Sequence, residues 1–168
     1  MNRWRCVLST TFVLTLVAPS FSAEPGKPDP QLTAKQQKYL KQFQASLAVR
    51  PVNADDAPRH LQQVQDDLKR LLSENTRPWG QATDTLANTL VAGLNGGLIS
   101  VDQAVQLSKQ LVKVLDQKEI TYQATDQFVR SIEPIVNQTG LRGVEKMRLY
   151  NNATWILRTA PTFSPPGR

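Results

Sequence analysis

Histidine and cysteine are the side chains most often found in metal sites and nucleophilic catalysis, and this sequence holds one of each, His60 and Cys6. A metal site inside a helical bundle uses Glu-x-x-His motifs or paired histidines, and neither spacing occurs around His60. A serine nucleophile would need a turn such as Gly-x-Ser-x-Gly, which the sequence also lacks. We therefore predict no catalytic residue, no metal ligand, no cofactor and no enzymatic activity. An enzyme that uses scattered polar residues is the alternative.

Three glycines, Gly93, Gly96 and Gly97, suggest a phosphate-binding or calcium-binding loop. No Gly-Lys-Ser/Thr follows them, as nucleotide binding would require. A calcium loop aligned on Gly97 would place alanine, leucine and glycine where oxygen ligands belong. The pattern instead predicts a glycine-rich helix C-terminus, followed by a new helix with a capping box formed by Ser100 and Gln103.

A similar capping pattern occurs near the start of the predicted fold. Leu32-Thr33-Ala34-Lys35-Gln36 has the form Leu-Thr-x-x-Gln, and Ile99-Ser100-Val101-Asp102-Gln103 is a looser second copy. The pattern resembles a motif of the small helical periplasmic stress chaperones of the Spy/CpxP type, over five residues at each site. This resemblance implies a chaperone-like stress protein. An N-cap with glutamine at the third helical position accounts for the same residues without common ancestry, and the chain lacks the high Arg and Met content of those chaperones.

The first predicted helix, Thr33 to Val49, carries its lysines on the side opposite its apolar residues. With a rotation of about 100° per residue, Lys35, Lys38 and Lys41 project away from the apolar face. This lysine face is typical of a solvated surface or of an electrostatic contact with a membrane or polyanion. We predict these three lysines as possible surface-contact residues. The apolar face consists of Tyr39, Leu40, Phe43 and Leu47.

The N-terminus has the layout of an export signal. Arg3 and Arg5 supply positive charge, Val7 to Val17 forms an apolar run, and Ser20-Phe21-Ser22 supplies a small-x-small cleavage site. The run of 11 residues is shorter than the length of about 20 residues that crosses a membrane. We predict a cleaved signal peptide over residues 1–22, a periplasmic or secreted location, and no membrane span after cleavage. An uncleaved anchor is the alternative.

Cleavage would also limit the chemistry of the mature chain. It would remove Cys6, so the mature protein would have no thiol and no disulfide and would depend on its hydrophobic core for stability. Loss of Arg3 and Arg5 would lower the formal net charge from +6 to +4. This mild basicity favours anionic surfaces, and it lacks the density of basic residues typical of nucleic-acid binding.

Proline-rich segments flank the predicted fold. Residues 23–31 contain three prolines and a glycine and are predicted to form an extended spacer. Residues 161–168 are predicted to form a disordered tail for the same reason. Between them, residues 32–160 show helical spacing without alternating strand patterns. We therefore predict an all-α antiparallel bundle of five to six helices.

Apolar residues recur every 21 positions along the second half of the chain. A helix of about 16 residues with a short connection fits this period and makes neighbouring helices antiparallel. Duplication of a binding repeat and a bundle of equal-length helices both account for it. The recurring residues are Leu86, Leu107, Phe128 and Leu149; Leu90, Leu111, Ile132 and Ala153; Leu94, Leu115, Val136 and Leu157; and Ile99, Ile120 and Leu141.

Two predicted helices differ from the others. The segment Gln81–Asn95 has one charge, Asp84, and a back face of small residues, typical of a central helix or of a surface covered by a partner. The segment Val144–Thr159 has apolar residues around its circumference, which predicts a helix that crosses the bundle or buries a face against a partner. We therefore predict an exported helical protein that binds an unknown protein or an anionic envelope surface.

Overall fold

The computed structural model describes residues 32–51, 53–72 and 80–165. The predicted signal peptide (1–22) and spacer (23–31) lie outside the described residues. The described residues form six α-helices and no strand, which confirms the prediction of an all-α helical bundle. The helices are α1 (Ala34–Ala48), α2 (Ala57–Leu72), α3 (Gly80–Asn95), α4 (Val101–Leu115), α5 (Tyr122–Asn137) and α6 (Gly143–Thr159).

Capping side chains determine where three of the helices begin. Thr33 and Ser100 each accept a hydrogen bond from the backbone N–H of the glutamine three residues later. The side-chain oxygens of these glutamines, Gln36 and Gln103, accept from the N–H of the cap residue in return. Thr121 caps α5 through its side-chain oxygen. These bonds satisfy N–H groups that the first turn of a helix leaves without intrahelical partners.

The six helices form a closed ring. Each helix packs against the next in the order α1, α2, α3, α6, α5, α4 and back to α1, and α4 also contacts α2 and α6. The last four helices begin 21 residues apart, at Gly80, Val101, Tyr122 and Gly143. Helix α4 contacts four other helices, whereas α3, for which the sequence suggested either a central position or a surface covered by a partner, packs mainly against α2 and α6.

The hydrophobic core lies where the recurring apolar residues meet. All of them are buried except Leu94, which is partly buried and packs against the core. Residues of α3, α4, α5 and α6 surround an internal space of about 10 Å³, which Ser108 also lines. The hydroxyl group of Ser108 is buried and has no hydrogen-bond partner among the described residues. One hydroxyl group among apolar side chains therefore lines this space.

Helix α3 ends in a Schellman motif. The N–H of Leu98 donates to the carbonyl of Gly93 at 2.8 Å, and the N–H of Gly97 donates to that of Leu94 at 3.0 Å. Gly97 has a φ of 67°, a conformation that favours glycine. At Gly93, a Cβ atom would lie 2.5 Å from Cδ1 of Ile99. This geometry confirms the predicted glycine-rich helix C-terminus.

The beginning of the predicted disordered tail is attached to the bundle. The N–H of Ile120 donates to the carbonyl of Thr162 at 2.9 Å, and the N–H of Ser164 donates to the carbonyl of Ile120 at 2.8 Å. Phe163 packs edge-on against Tyr122, the first residue of α5, with ring centroids 5.2 Å apart. Residues 161–165 therefore differ from the prediction, because two backbone hydrogen bonds and an aromatic contact hold them in place.

Candidate functional site

The predicted lysine face lies on the outside of α1. Lys35, Lys38 and Lys41 are exposed, and α1 contains no acidic residue. The Nζ atom of Lys35 lies 5.8 Å from the ring centroid of Tyr39, within the range of a cation–π contact. The other two lysines line an open depression of about 460 Å³. The depression is also lined by Ala34, Gln37, Gln42 and Ala45.

A second concave surface, the α1–α2 pocket, lies at the turn between the first two helices. It is open and has a volume of about 330 Å³. Two basic residues, Arg50 and Arg59, and one acidic residue, Asp56, line it. The nearest contact between these charges, Arg59 Nη1 to Asp56 Oδ1, is 3.9 Å. Val49 adds an apolar side chain that is 56% exposed. The pocket therefore combines an excess of positive charge with apolar surface.

His60 lies in the same pocket and is half-buried. Its Nε2 atom is 2.8 Å from the carbonyl oxygen of Ser46 near the end of α1. Because a carbonyl oxygen only accepts, Nε2 must carry the proton of this hydrogen bond. The bond holds the imidazole in one orientation and joins α2 to α1. It leaves Nδ1 as an acceptor in the neutral ring and as a donor in the protonated ring.

The outer side of α6 presents a third surface, the α6 face, formed by Val144, Met147, Arg148, Trp155 and Arg158. The apolar members are unusually exposed, at 61% for Val144, 60% for Met147 and 41% for Trp155. Both arginines are exposed beside them. Because these five positions share one side of the helix, apolar and cationic side chains lie next to one another on it. The inward side of α6 consists of Leu149, Ala153, Ile156 and Leu157.

The small residues on the back face of α3 contact α6 of the same chain. Asn152 Nδ2 donates to Thr89 Oγ1 at 2.9 Å. A depression of about 140 Å³ lies between the two helices, lined in part by Ala92, Gly93 and Arg148. Close approach of α6 therefore accounts for part of the small-residue face, for which the sequence suggested either a central helix or a surface covered by a partner.

Two ionisable groups in unusual surroundings lie outside these surfaces. The buried carboxylate of Asp67 accepts hydrogen bonds from Gln63 Nε2 at 2.9 Å and from Arg70 Nη1 at 3.3 Å. Burial raises the pKa of Tyr150, and the negative charge of Glu133 raises it further. The phenol of Tyr150 therefore stays protonated at neutral pH, and these two hydrogen bonds of Asp67 lie within α2.

Within the described residues, no three His, Cys, Asp or Glu side chains form a group that would hold a metal ion. No helix in this part of the chain is both long enough and apolar enough to cross a membrane. Compared with known protein families, curated proteins and solved structures, the chain matches none significantly. The surfaces themselves are therefore the basis for a functional proposal.

Sequence reasoning located the lysine face but missed the α1–α2 pocket. The pocket depends on the angle at which α1 and α2 meet, which places Arg50, Arg59 and His60 around one space. The sequence signal for this pocket was a basic residue on each side of the turn between the first two predicted helices. That signal is weak, because basic residues are common at exposed turns.

Proposed function

We propose that this protein is an exported, non-catalytic helical protein that binds an anionic surface of the cell envelope through the lysine face of α1. The observation that carries the proposal is the exposure of Lys38 and Lys41 at one depression, on a helix without a carboxylate. Each such cation near an anionic lipid surface contributes about 1 kcal/mol of attraction. The formal net charge of +4 that remains after removal of Arg3 and Arg5 favours the same class of partner.

Binding to vesicles tests the proposed contact. The mature protein should bind vesicles that contain phosphatidylglycerol and should not bind vesicles of phosphatidylcholine alone, and added salt should weaken the binding. The double variant Lys38→Gln/Lys41→Gln should bind about 30-fold more weakly, since about 2 kcal/mol of attraction is lost.

The matched control is Lys109→Gln/Lys118→Gln, which removes the same charge from exposed positions on α4 and in the α4–α5 connection. It should retain most of the affinity. Equal weakening by both double variants would mean that only net charge matters, and the lysine face would then have no special role.

Export is tested by the mass of the protein recovered from the periplasm or medium of a bacterial host. The proposal rests on the charged, apolar and small-residue segments of residues 1–22. Recovered protein should begin within a residue or two of Ala23. Full-length protein confined to the cytoplasm would contradict the proposal. Replacement of two apolar residues, Leu14→Arg/Leu16→Arg, should retain the chain in the cytoplasm and serves as the control.

A second candidate function is a chaperone-like stress protein, favoured by the α6 face. Val144, Met147 and Trp155 offer exposed apolar surface to an unfolded client, and the adjacent arginines would attract acidic segments. The Leu-Thr-x-x-Gln resemblance supports the same proposal. The purified protein should suppress aggregation of a reduced model client such as insulin, and Met147→Gln/Trp155→Gln should reduce this effect. No suppression by the unaltered protein would exclude this function.

A further inference from the structure

We infer that the α1–α2 pocket binds a small organic oxyanion, that is, a carboxylate or phosphate group carried on a compact apolar body. The pocket and the depression beside Lys38 and Lys41 have different lining residues. The inference therefore does not depend on the proposed envelope contact, and it adds a small-molecule site to a protein proposed above to bind a surface.

The size of the pocket limits the ligand. A volume of about 330 Å³ lies at the lower end of the range of about 300–1,000 Å³ for small-molecule sites. A single ring or a short branched chain fits this space. Val49 and Pro51 provide apolar surface for such a body, and Val49 is among the most exposed large apolar side chains of the described residues.

The charges favour an oxyanion as the polar end of the ligand. Arg50 follows α1 and Arg59 lies in the first turn of α2, so a basic residue lines the pocket from each side of the turn. A guanidinium group matches carboxylate and phosphate through two parallel N–H···O bonds. Asp56 competes weakly, because its exposed pair with Arg59 is 3.9 Å long. The N-terminal end of α2 adds further positive potential.

His60 makes the site directly observable. It is the only histidine in the chain, so an untagged protein gives one set of imidazole signals by NMR. Its hydrogen bond to Ser46 holds the ring in the pocket wall. Binding of an anion beside the ring will change the chemical shift of the Cε1 proton at constant pH.

The experiment is a titration of the untagged mature protein with benzoate, phenyl phosphate, inorganic phosphate and benzyl alcohol, followed at the His60 Cε1 proton. We expect a saturable shift with at least one aromatic anion. Saturation by benzoate would identify carboxylate as the polar group of the ligand, and saturation by phenyl phosphate would identify phosphate. Inorganic phosphate should bind at least tenfold more weakly than that anion, and benzyl alcohol should give no saturable shift. Absence of saturation by both aromatic anions, or equal binding of benzyl alcohol, would overturn the inference.

Two variants test the role of the arginines. Arg50→Gln and Arg59→Gln should each weaken binding by about tenfold or more, as expected for loss of a hydrogen bond to a charged group. Both side chains are exposed, so circular dichroism should show an intact fold. Arg130→Gln, which removes the same charge from an exposed position on α5, should leave the affinity unchanged. Equal weakening by Arg130→Gln would show nonspecific attraction and would overturn the proposed site.

The lysine variants separate this inference from the proposed function. Lys38→Gln/Lys41→Gln should retain binding of the aromatic anion while it loses binding to anionic vesicles. Loss of vesicle binding by Arg50→Gln alone, without any effect on the aromatic anion, would assign Arg50 to the surface contact and would overturn its role in the pocket.

Discussion

Gln36 and Gln103 each use both ends of their side-chain amide. The oxygen of each amide accepts the N–H of its helix cap, at 2.8 Å for Gln36 and 2.9 Å for Gln103. The nitrogen of Gln36 donates to both carboxylate oxygens of Asp116, at 2.9 and 3.0 Å. The nitrogen of Gln103 donates to the carbonyl of Gln138 at 3.1 Å. Glutamate would serve the cap equally well, but only glutamine also supplies a donor to a second element.

The variant Gln36→Glu should therefore retain the cap and lose the tie between α1 and α4. At about pH 7 we expect a loss of about 2 kcal/mol in the free energy of unfolding, because a buried donor is replaced by a carboxylate that faces Asp116. The like charge raises the pKa of the introduced carboxyl group in the folded state. The loss of stability of the variant relative to the parent should therefore be smallest below the unfolded pKa of the introduced carboxyl group, about 4.3. It should grow as the pH rises through the folded pKa of this group.

Urea unfolding of parent and variant at about pH 7 and about pH 4 measures this difference. The control Gln103→Glu should show a smaller pH dependence, because the partner of Gln103 is a carbonyl rather than a carboxylate. An equal deficit of the Gln36→Glu protein at both pH values would mean that the two carboxyl groups do not interact.

Replacement by alanine should have opposite effects on the free energy of unfolding at two buried serines, because their hydroxyl groups differ in hydrogen bonding. The hydroxyl of Ser108 is buried without a hydrogen-bond partner among the described residues, whereas that of Ser46 donates to the carbonyl of Phe43 at 2.8 Å. Ser108→Ala should raise the free energy of unfolding by about 1 kcal/mol, because an unsatisfied polar atom is removed from the core. Ser46→Ala should lower it by about 1 kcal/mol. Calorimetry or urea unfolding checks both, and a destabilised Ser108→Ala protein would contradict the first expectation.

At the scale of helices, close contact between α3 and the connection that leads into α4 depends on Gly93. A Cβ atom there would lie 2.5 Å from Cδ1 and 2.8 Å from Cγ1 of Ile99, which is 4% exposed. Gly93→Ala should therefore destabilise the protein by about 1 kcal/mol, because overpacking outweighs the gain of about 1 kcal/mol in helix propensity. Denaturant unfolding measures the loss.

The control for this substitution is Gly80→Ala at the first residue of α3, where a Cβ atom would meet nothing within 4 Å. It should cause no loss of stability. Ile99→Val removes Cδ1, so the double variant Gly93→Ala/Ile99→Val should lose less than the sum of the single changes. Strict additivity would indicate that the two side chains do not collide.

Helix boundaries were largely predictable because they depend on local chemistry. Thr33, Ser100 and Thr121 are caps that act within one turn of chain, and the 21-residue spacing of helix starts follows from them and from the glycine end of α3. The position of α4 among four other helices and the pairing of Phe163 with Ile120 were not predictable. Both depend on contacts between residues distant along the chain, which periodicity does not encode.

The lysine face was predictable for the same local reason, whereas the α1–α2 pocket was not. Spacing along one helix places Lys38 and Lys41 on one side of α1. The meeting of Arg50 and His60 requires the geometry of a turn between two helices, and the hydrogen bond from His60 to Ser46 determines part of it. A site formed between two helices is therefore harder to predict from sequence patterns than a site on one helix.

At the scale of the whole molecule, the closed ring and the additional contacts of α4 with α2 and α6 predict a single cooperative unfolding transition. Helix α4 contacts α1, α2, α5 and α6, so loss of any neighbour exposes its apolar surface. In a mature Trp79→Phe protein, Trp155 on α6 is the only tryptophan left. Its fluorescence and the circular dichroism of all helices should report the same urea midpoint.

Urea unfolding of the Gln36→Glu protein tests cooperativity more strictly, because the substitution lies on α1 and the fluorescent Trp155 lies on α6. Both signals should move to lower urea concentration by the same amount. A shift in circular dichroism without a shift in Trp155 fluorescence would show that α1 and α2 unfold separately from the rest.

The tie between Gln36 and Asp116 and the pairing of the tail with Ile120 place both ends of the described chain near the connection between α4 and α5. The α1–α2 pocket lies one helix length away, at the opposite pole. Attachment to a support at either end of the described chain would therefore leave the pocket facing the solvent. The neighbouring ends would also accept a short peptide linker, so that a circular permutant opened at another loop would retain the ring.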